Sequence, residues 1–183
     1  MNTLRQLEDL FFNTTCKALG LNPQDKLSEN SVRFPWRNDP EWEHEDDVCF
    51  IAITNEDDRY NRQFEVKHTP ISKEVADYTI ENIRAIQIAW TLYGPNSFDR
   101  AHTLRNYIYM PDTQLLLKQS SMYMVTDIAA PIRFPEQFRD LWWDRSNLMA
   151  NFYEKTQSTS TVPLIQGVDI KLYTEKGEVK SNI

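Results

Sequence analysis

Glycine is scarce in this chain of 183 residues: Gly20, Gly94, Gly167 and Gly177 stand alone. Neither a phosphate-cradling loop nor a dinucleotide fingerprint can be assembled from them. Cysteine is scarcer still. Cys16 and Cys49 lie far apart without metal-ligand spacing, and they read as reduced thiols in a cytosolic protein rather than a disulfide framework. No apolar run approaches the roughly 20 residues of a bilayer-spanning helix. The N-terminus is amphipathic and charged, which is not the pattern of a secretory signal. Positive charge is in deficit, with 20 Lys and Arg against 27 Asp and Glu and a net charge of −7. That excludes a general nucleic-acid binder gripping phosphates with a basic surface. It leaves room for DNA passing nearby without being held. His44, His68 and His102 sit in no metal-ligand pair and beside no evident nucleophile; a triad assembled from distant residues stays open.

What is present is enough for one domain with a real core: 40% hydrophobic residues and 12% aromatics, a globular composition. The clearest segment runs from Ile80 to Met110. Ile86, Ile88, Trp90 and Leu92 share one parity, with Ala85, Gln87, Ala89 and Thr91 on the other. This period of two predicts a long strand. Ile83, Ile86 and Trp90 also suit a buried helix. Tyr93-Gly94-Pro95-Asn96-Ser97 ends the segment, because Pro95 has no ladder donor and Gly94 has backbone freedom. Ser97 is the expected N-cap of a helix with Asp99 in its first turn and a stripe of Phe98, Ala101, Leu104 and Ile108.

Around it, Thr3 is the expected cap of a first helix with a stripe of Leu4, Leu7, Phe11 and Ala18, Leu10 beside it, and Gly20 as its stop. Residues 22–47 read as irregular, interrupted by Pro23, Pro35 and Pro40, with a turn at Ser28–Ser31 and a short strand at Val32–Phe34. Strands are expected at Val48–Thr54, Phe64–His68, Met122–Thr126 and Val168–Tyr173, a polar link at Pro70–Ala76, and a short helix over Thr113–Lys118. Ala130–Pro135 reads as extended and outside a sheet. From Leu141, alternation of Leu148, Ala150 and Phe152 against Arg145, Asn147, Asn151 and Lys155 predicts a strand with one wet face, broken at Gln157–Thr161. Phe50, Ile53, Ile88 and Trp90 are the expected core. The pattern is a single α+β domain over 1–183, with a mostly antiparallel sheet and helices packed on one face. It divides into an N-terminal helix in 1–20, an α+β core in 32–174 and a fraying tail in 176–183.

Three stretches are candidates for function. Asp39-Pro40-Glu41-Trp42-Glu43-His44-Glu45-Asp46-Asp47 holds six acids and no Lys or Arg. Carboxylates favour hard cations, but the spacing fits no calcium loop, and a solvated loop is the plain alternative. Asp58-Arg59-Tyr60-Asn61-Arg62-Gln63 is longer and richer than a minimal hairpin connection; it suits either an interface or an ordinary exposed loop. Trp142 and Trp143 are adjacent, so on a strand they face opposite sides. One would enter the core and the other face water, a second layer or a partner, unless a bulge buries both. Pro35-Trp36 poses the same question.

Several segments in order resemble the phage neck terminator proteins, a branch of the tail-terminator group of tailed bacteriophages. They are Val48–Thr54 followed by Glu56–Gln63, then Tyr93–Asp99, Asp127–Arg133, Trp142–Arg145, and Thr161-Val162-Pro163 before the last strand. Coverage runs from Val32 to Glu178. The family usually has Asp-Pro-Tyr-Asn-Arg-Gln where this chain has Asp58-Arg59-Tyr60-Asn61-Arg62-Gln63, which leaves that loop's conformation open.

The resemblance implies a structural virion protein of the neck, not an enzyme. It implies small α+β subunits in a ring, usually a hexamer, that caps the tail tube, ends its polymerisation and meets the head connector. The implied partners are other copies of the chain, the tail-tube protein, a head–tail connector or adaptor protein, and genomic DNA passing through the lumen. No cofactor, metal or membrane is implied, and the location is the virion, with host cytoplasm during assembly. A ring needs a heterologous interface that closes, commonly burying on the order of 2,000 Å². Tyr60, Asn61, Arg62, Gln63, Trp142 and Trp143 are the interface candidates. Glu41, Glu43, Glu45, Asp46 and Asp47 are candidates for a lumen surface that repels passing DNA. A connector or tail-completion subunit of related fold, and a small metal-dependent hydrolase, are the alternatives.

Overall fold

The computed structural model describes residues 1–35, 41–165, 170–174 and 177–181. The chain divides into two compact units, Met1–Gln63 with Asn82–Thr156, and Phe64–Glu81 with Gln157–Ile183.

The first unit opens with helix α1, Leu4–Ala18. Thr3 and Gln6 form a reciprocal capping box at its start, which satisfies two orphan backbone donors. At its end Gly20 has φ of +72°. Gly20 N–H donates to Lys17 and Leu21 N–H to Cys16, the Schellman pattern that glycine permits. Leu7, Phe11 and Ala18 are buried as the stripe requires, while Leu4 is exposed. The expected turn at Ser28–Ser31, within a stretch read as irregular, belongs instead to the short helix α2, Lys26–Ser31. Strand β1, Val32–Arg33, runs parallel to β2, Val48–Asn55.

The long strand is real and longer than its apolar stretch: β4 spans Val75–Tyr93. Ile86, Ile88, Trp90 and Leu92 are all buried. β2 pairs antiparallel to it, with Ile51 opposite Trp90 and Cys49 opposite Leu92. Helix α3 (Ser97–Ile108) and helix α4 (Pro111–Gln119) follow, then β5 (Met122–Met124), β6 (Ile132–Arg133), β7 (Glu136–Phe138), β8 (Leu141–Trp143) and β9 (Arg145–Pro163). The sheet order in this unit is β1-β2-β4-β9-β5, with β6 also on β9. Ala130–Pro135, expected outside any sheet, thus contributes a two-residue edge pairing through Ile132 and Arg133.

α1, α3 and α4 cover one face. Phe11 stacks on Phe152 at 4.9 Å and edge-on to Trp90 at 6.2 Å. Trp90 Nε1 donates to Thr15 Oγ1 at 2.9 Å, so the largest core side chain leaves no buried donor unpaired. Leu104, Ile108, Leu117, Leu148 and Phe152 complete the cluster. Phe98, expected in the stripe of α3, is instead 42% exposed and stacks on His102. Ile53 packs partly buried against the core. Phe50 does not join it: one residue out of phase with Cys49 and Ile51, it points to the opposite face of the sheet.

In the second unit β3, Phe64–Pro70, pairs with β4 rather than returning along β2. The link between them is short: Ile71 and Ser72 N–H both donate to Val75 O, so Val75 and Ala76 already lie in β4. All seven residues of β3 are exposed. Gln157–Thr161, read as a break, continues β9. Thr159 and Thr79 hydroxyls meet at 3.1 Å and Thr161 donates to Asp77 at 3.2 Å; β-branched threonines with cross-strand hydroxyl bonds sustain a strand. β10 (Ile170–Thr174) and β11 (Gly177–Ser181) form an antiparallel pair, so the stretch expected to fray carries a strand. The expected strand start at Val168–Asp169 and the residue Lys176 lie outside the described residues.

Candidate functional site: an aromatic cleft behind the sheet

The face of the sheet opposite the helices carries Phe50 and Tyr93, whose rings lie 6.0 Å apart. Two segments fold over them. One is the acidic loop, which sets Trp42 4.9 Å from Tyr93 and 5.9 Å from Phe50. The other is the β7–β8 hairpin. Its turn residues Arg139 and Asp140 both have positive φ, +49° and +64°, the signature of a two-residue type I′ turn. Glu136 pairs with Trp143 and Phe138 with Leu141, and all four line one cleft. Trp142 alternates to the other side and is 66% exposed. The two tryptophans therefore face opposite ways, as adjacency requires; Trp143 meets Trp42 at 4.7 Å, edge to face. Its Nε1–H is buried with no acceptor among the described residues, a cost of about 1–3 kcal/mol that ring packing must offset.

Between loop, hairpin and sheet lies an open cleft of about 720 Å³. Beyond the aromatic rings its walls carry Arg33, Glu41, Glu43, His44, Glu136, Arg139 and Leu141. Glu136 is internally neutralised: Tyr93 Oη donates to it at 2.7 Å and Arg145 Nη1 at 2.7 Å. Burial works to raise its pKa, but the bonds from Tyr93 and Arg145, with the arginine's charge, outweigh it and hold the carboxyl low. Burial first, then the bond to Glu136, pushes the Tyr93 hydroxyl up to about 12. His44 Nε2 donates to the Trp142 carbonyl at 2.8 Å and Nδ1 meets Glu45 at 3.1 Å. Acceptors at both ring nitrogens, the Trp142 carbonyl foremost, raise its pKa.

The acidic loop is anchored by Asp47. Its carboxylate accepts from Asn96 N at 3.1 Å and Asn96 Nδ2 at 2.8 Å, and pairs with Arg100 at 3.5 Å. Asp47 thus serves the N-terminus of α3, where a negative charge is favourable. Asn96 is the N-cap residue in place of the expected Ser97, which is the first helical residue and buried. Gly94 has φ of +105°, and a Cβ there would sit 2.5 Å from Asp46 O and 2.6 Å from Asp47 Oδ1. Glu41, Glu43, Glu45 and Asp46 are exposed. Asp39, Pro40 and Trp36 lie outside the described residues. Among the described residues, no group of three or more His, Cys, Asp or Glu is placed to hold a metal ion.

The Arg59–Arg62 stretch is a single 3-10 turn. Asn61 faces inward: Oδ1 accepts Ala85 N–H at 2.6 Å, its carbonyl accepts Asn82 Nδ2 at 3.0 Å, and its Nδ2 donates to Glu56 O. Arg62 forms a two-pronged pair with Asp57, at 2.5 and 3.2 Å, in an exposed setting. Gln63 is exposed. Tyr60's side chain lies outside the described residues. The structure therefore gathers Trp143, Glu41 and Glu43 at one cleft and leaves Trp142, Arg62 and Gln63 on surfaces. Tyr93, Glu136, Phe138 and Leu141 escaped the sequence reading. On their own strands Phe50, Thr91 and Tyr93 alternate with the core positions, and that opposite phase was the available signal.

Cys16 and Cys49 are free and buried; burial pushes their thiols up to about 11 and about 12. His68 stacks on Tyr78 and His102 on Phe98.

The sequence profile of phage neck terminator proteins matches residues 5–177, nearly the whole length. The chain belongs to the phage neck terminator family. It is thus a structural protein of the phage neck, placed in the virion and associated with other head and tail proteins. The family match begins within α1, ahead of the Val32 start of the resemblance, so this helix is part of the shared domain. No curated protein matches the chain. No described helix is long and apolar enough to cross a membrane.

Proposed function

We propose that the chain is a subunit of a closed ring, a hexamer, that caps the finished tail tube, ends its polymerisation and joins it to the head connector. Residues 1–183 act in it as one domain. The observation that carries this is the family match over residues 5–177. The surfaces are of the kind a ring requires. Among the described residues β3 pairs only with β4, and all seven of its residues are exposed; an edge left unpaired invites pairing with another chain. Ile132, Phe134 and Trp142 are each more than 60% exposed, and exposed apolar groups of this size mark protein contacts. Trp142, Arg62 and Gln63 belong to the contacts between subunits or with neck partners. Glu45 and Asp46 supply negative charge to the lumen, where phosphate repulsion keeps passing DNA from adhering.

Native mass measurement of the purified protein, with electron microscopy of any oligomer and of tube fragments mixed with it, tests this. A closed ring seated at tube ends is the expected result. A monomer that fails to bind tube ends overturns the proposal, and binding only to portal complexes replaces it with a connector role.

A further inference from the structure

We propose that the aromatic cleft is a docking site for a basic, extended segment of a different neck protein. An Arg or Lys side chain of that segment enters among the rings and is met by Glu41 and Glu43.

Three observations point there. First, the described residues leave the cleft unfilled. Phe138 and Leu141 face into it and are each 54% exposed, and about 720 Å³ is room for several residues of extended chain. Second, its rings already hold guanidinium groups. Arg139 lies over Phe138 at 5.2 Å and Arg145 over Tyr93 at 5.7 Å, the geometry of cation–π attraction, for which tryptophan is the best acceptor. Trp42 and Trp143 sit between them in the same wall. Third, two carboxylates at the cleft lack an ion pair. Glu136 is matched by Arg145; Arg33 and Arg139 share the walls, yet exposed Glu41 and Glu43 form no ion pair among the described residues. A cationic side chain against the tryptophan faces would be flanked by these two carboxylates. No two Lys or Arg are adjacent in this sequence, so a second copy offers no strongly basic segment to this cleft, which favours a different protein as the occupant.

The test titrates the full chain with the peptide acetyl-Leu-Arg-Leu-amide, following tryptophan emission. The same peptide with citrulline, a neutral isostere of arginine, is the control. The arginine peptide is expected to bind saturably and about tenfold more tightly than the citrulline peptide, with the preference shrinking as salt rises. Glu41→Gln with Glu43→Gln removes the preference; both side chains are exposed, and an unchanged melting temperature verifies the fold. Phe138→Ala weakens both peptides alike. Equal affinity for the two peptides, no saturable response, or a preference that survives in the double variant overturns the proposal. So does self-association of the wild-type chain that the double variant abolishes, which would give the cleft to a second copy. Ring formation by the wild-type protein is scored separately, so either proposal can fail alone.

Discussion

Glu154 is 1% exposed and pairs with Arg84. One oxygen takes Arg84 Nε at 2.8 Å and Nη2 at 2.5 Å, and the other takes the backbone N–H of Asn2. Arg84 also donates to Asn2 O at 3.1 Å, and Asn2 Nδ2 donates to Ser120 O at 2.8 Å. This network binds the N-terminus and the end of α4 to two central strands. Glu154→Gln keeps the shape but removes the charge, and its amide must turn one donor toward a donor. Breaking a buried pair costs about 3–5 kcal/mol. Arg84 keeps 23% of its side chain exposed and can recover water, so the lower end, about 3 kcal/mol, is expected for Glu154→Gln. Arg84→Met costs more, about 4–5 kcal/mol, because it strands the fully buried carboxylate. Arg84→Met with Glu154→Met together lies within about 1 kcal/mol of wild type, since an apolar pair incurs no charge desolvation. Urea unfolding with unchanged m-values measures all three, and a loss of 3 kcal/mol lowers the melting temperature by roughly 6–12 °C in a chain this long. A loss below about 1 kcal/mol for Glu154→Gln, or a double variant as unstable as Arg84→Met, would refute the account.

Asn61→Ala should cost about 2–3 kcal/mol in urea unfolding, because Ala85 N–H and Glu56 O lose their partner; an unaltered midpoint with impaired assembly would instead make Asn61 an interface residue. Gly94→Ala should destabilise by at least about 2 kcal/mol through positive φ and collision with Asp46 and Asp47, and a neutral melting shift would show that the acidic loop is not packed there. Glu136 has a lowered folded pKa, so its stabilisation is present above the unfolded carboxylate value and lost as pH falls through the folded one. Glu136→Gln is therefore less stable than wild type at neutral pH, and the gap closes on acidification; a gap independent of pH would contradict this. His44 has a raised folded pKa, so its contribution is present below the unfolded histidine value and fades as pH rises through the folded one. His44→Asn should narrow its stability deficit between pH 6 and 8, measured by thermal melting at each pH; a deficit that widens would reverse the sign.

Local sequence determined what depends on local periodicity. The alternation of Ile86, Ile88, Trp90 and Leu92 makes a strand with one buried face wherever it is placed, because successive side chains must point oppositely. The Thr3–Gln6 capping box and Gly20 bound α1 through bonds among neighbours in the chain. The same alternation separated Trp142 from Trp143 before either had a partner. The motif order from Val48 to Pro163 also carried the family. Tertiary structure decided everything that joins distant segments. Which strand β3 joins, and that Gln157–Thr161 continues β9, depend on the partner strand, since threonine hydroxyls satisfied across a ladder behave unlike the same hydroxyls in a loop. Asp47 looked like one more solvated acid, but its carboxylate caps a helix that begins with Asn96 and Ser97, a contact spanning half a hundred residues. Phe50 kept its hydrophobicity and lost its place in the core by one step of parity. The cleft is the clearest case. Trp42, Phe50, Tyr93, Glu136 and Trp143 share no local pattern, and only the folding of a loop and a hairpin over the reverse face of the sheet brings their rings and charges together.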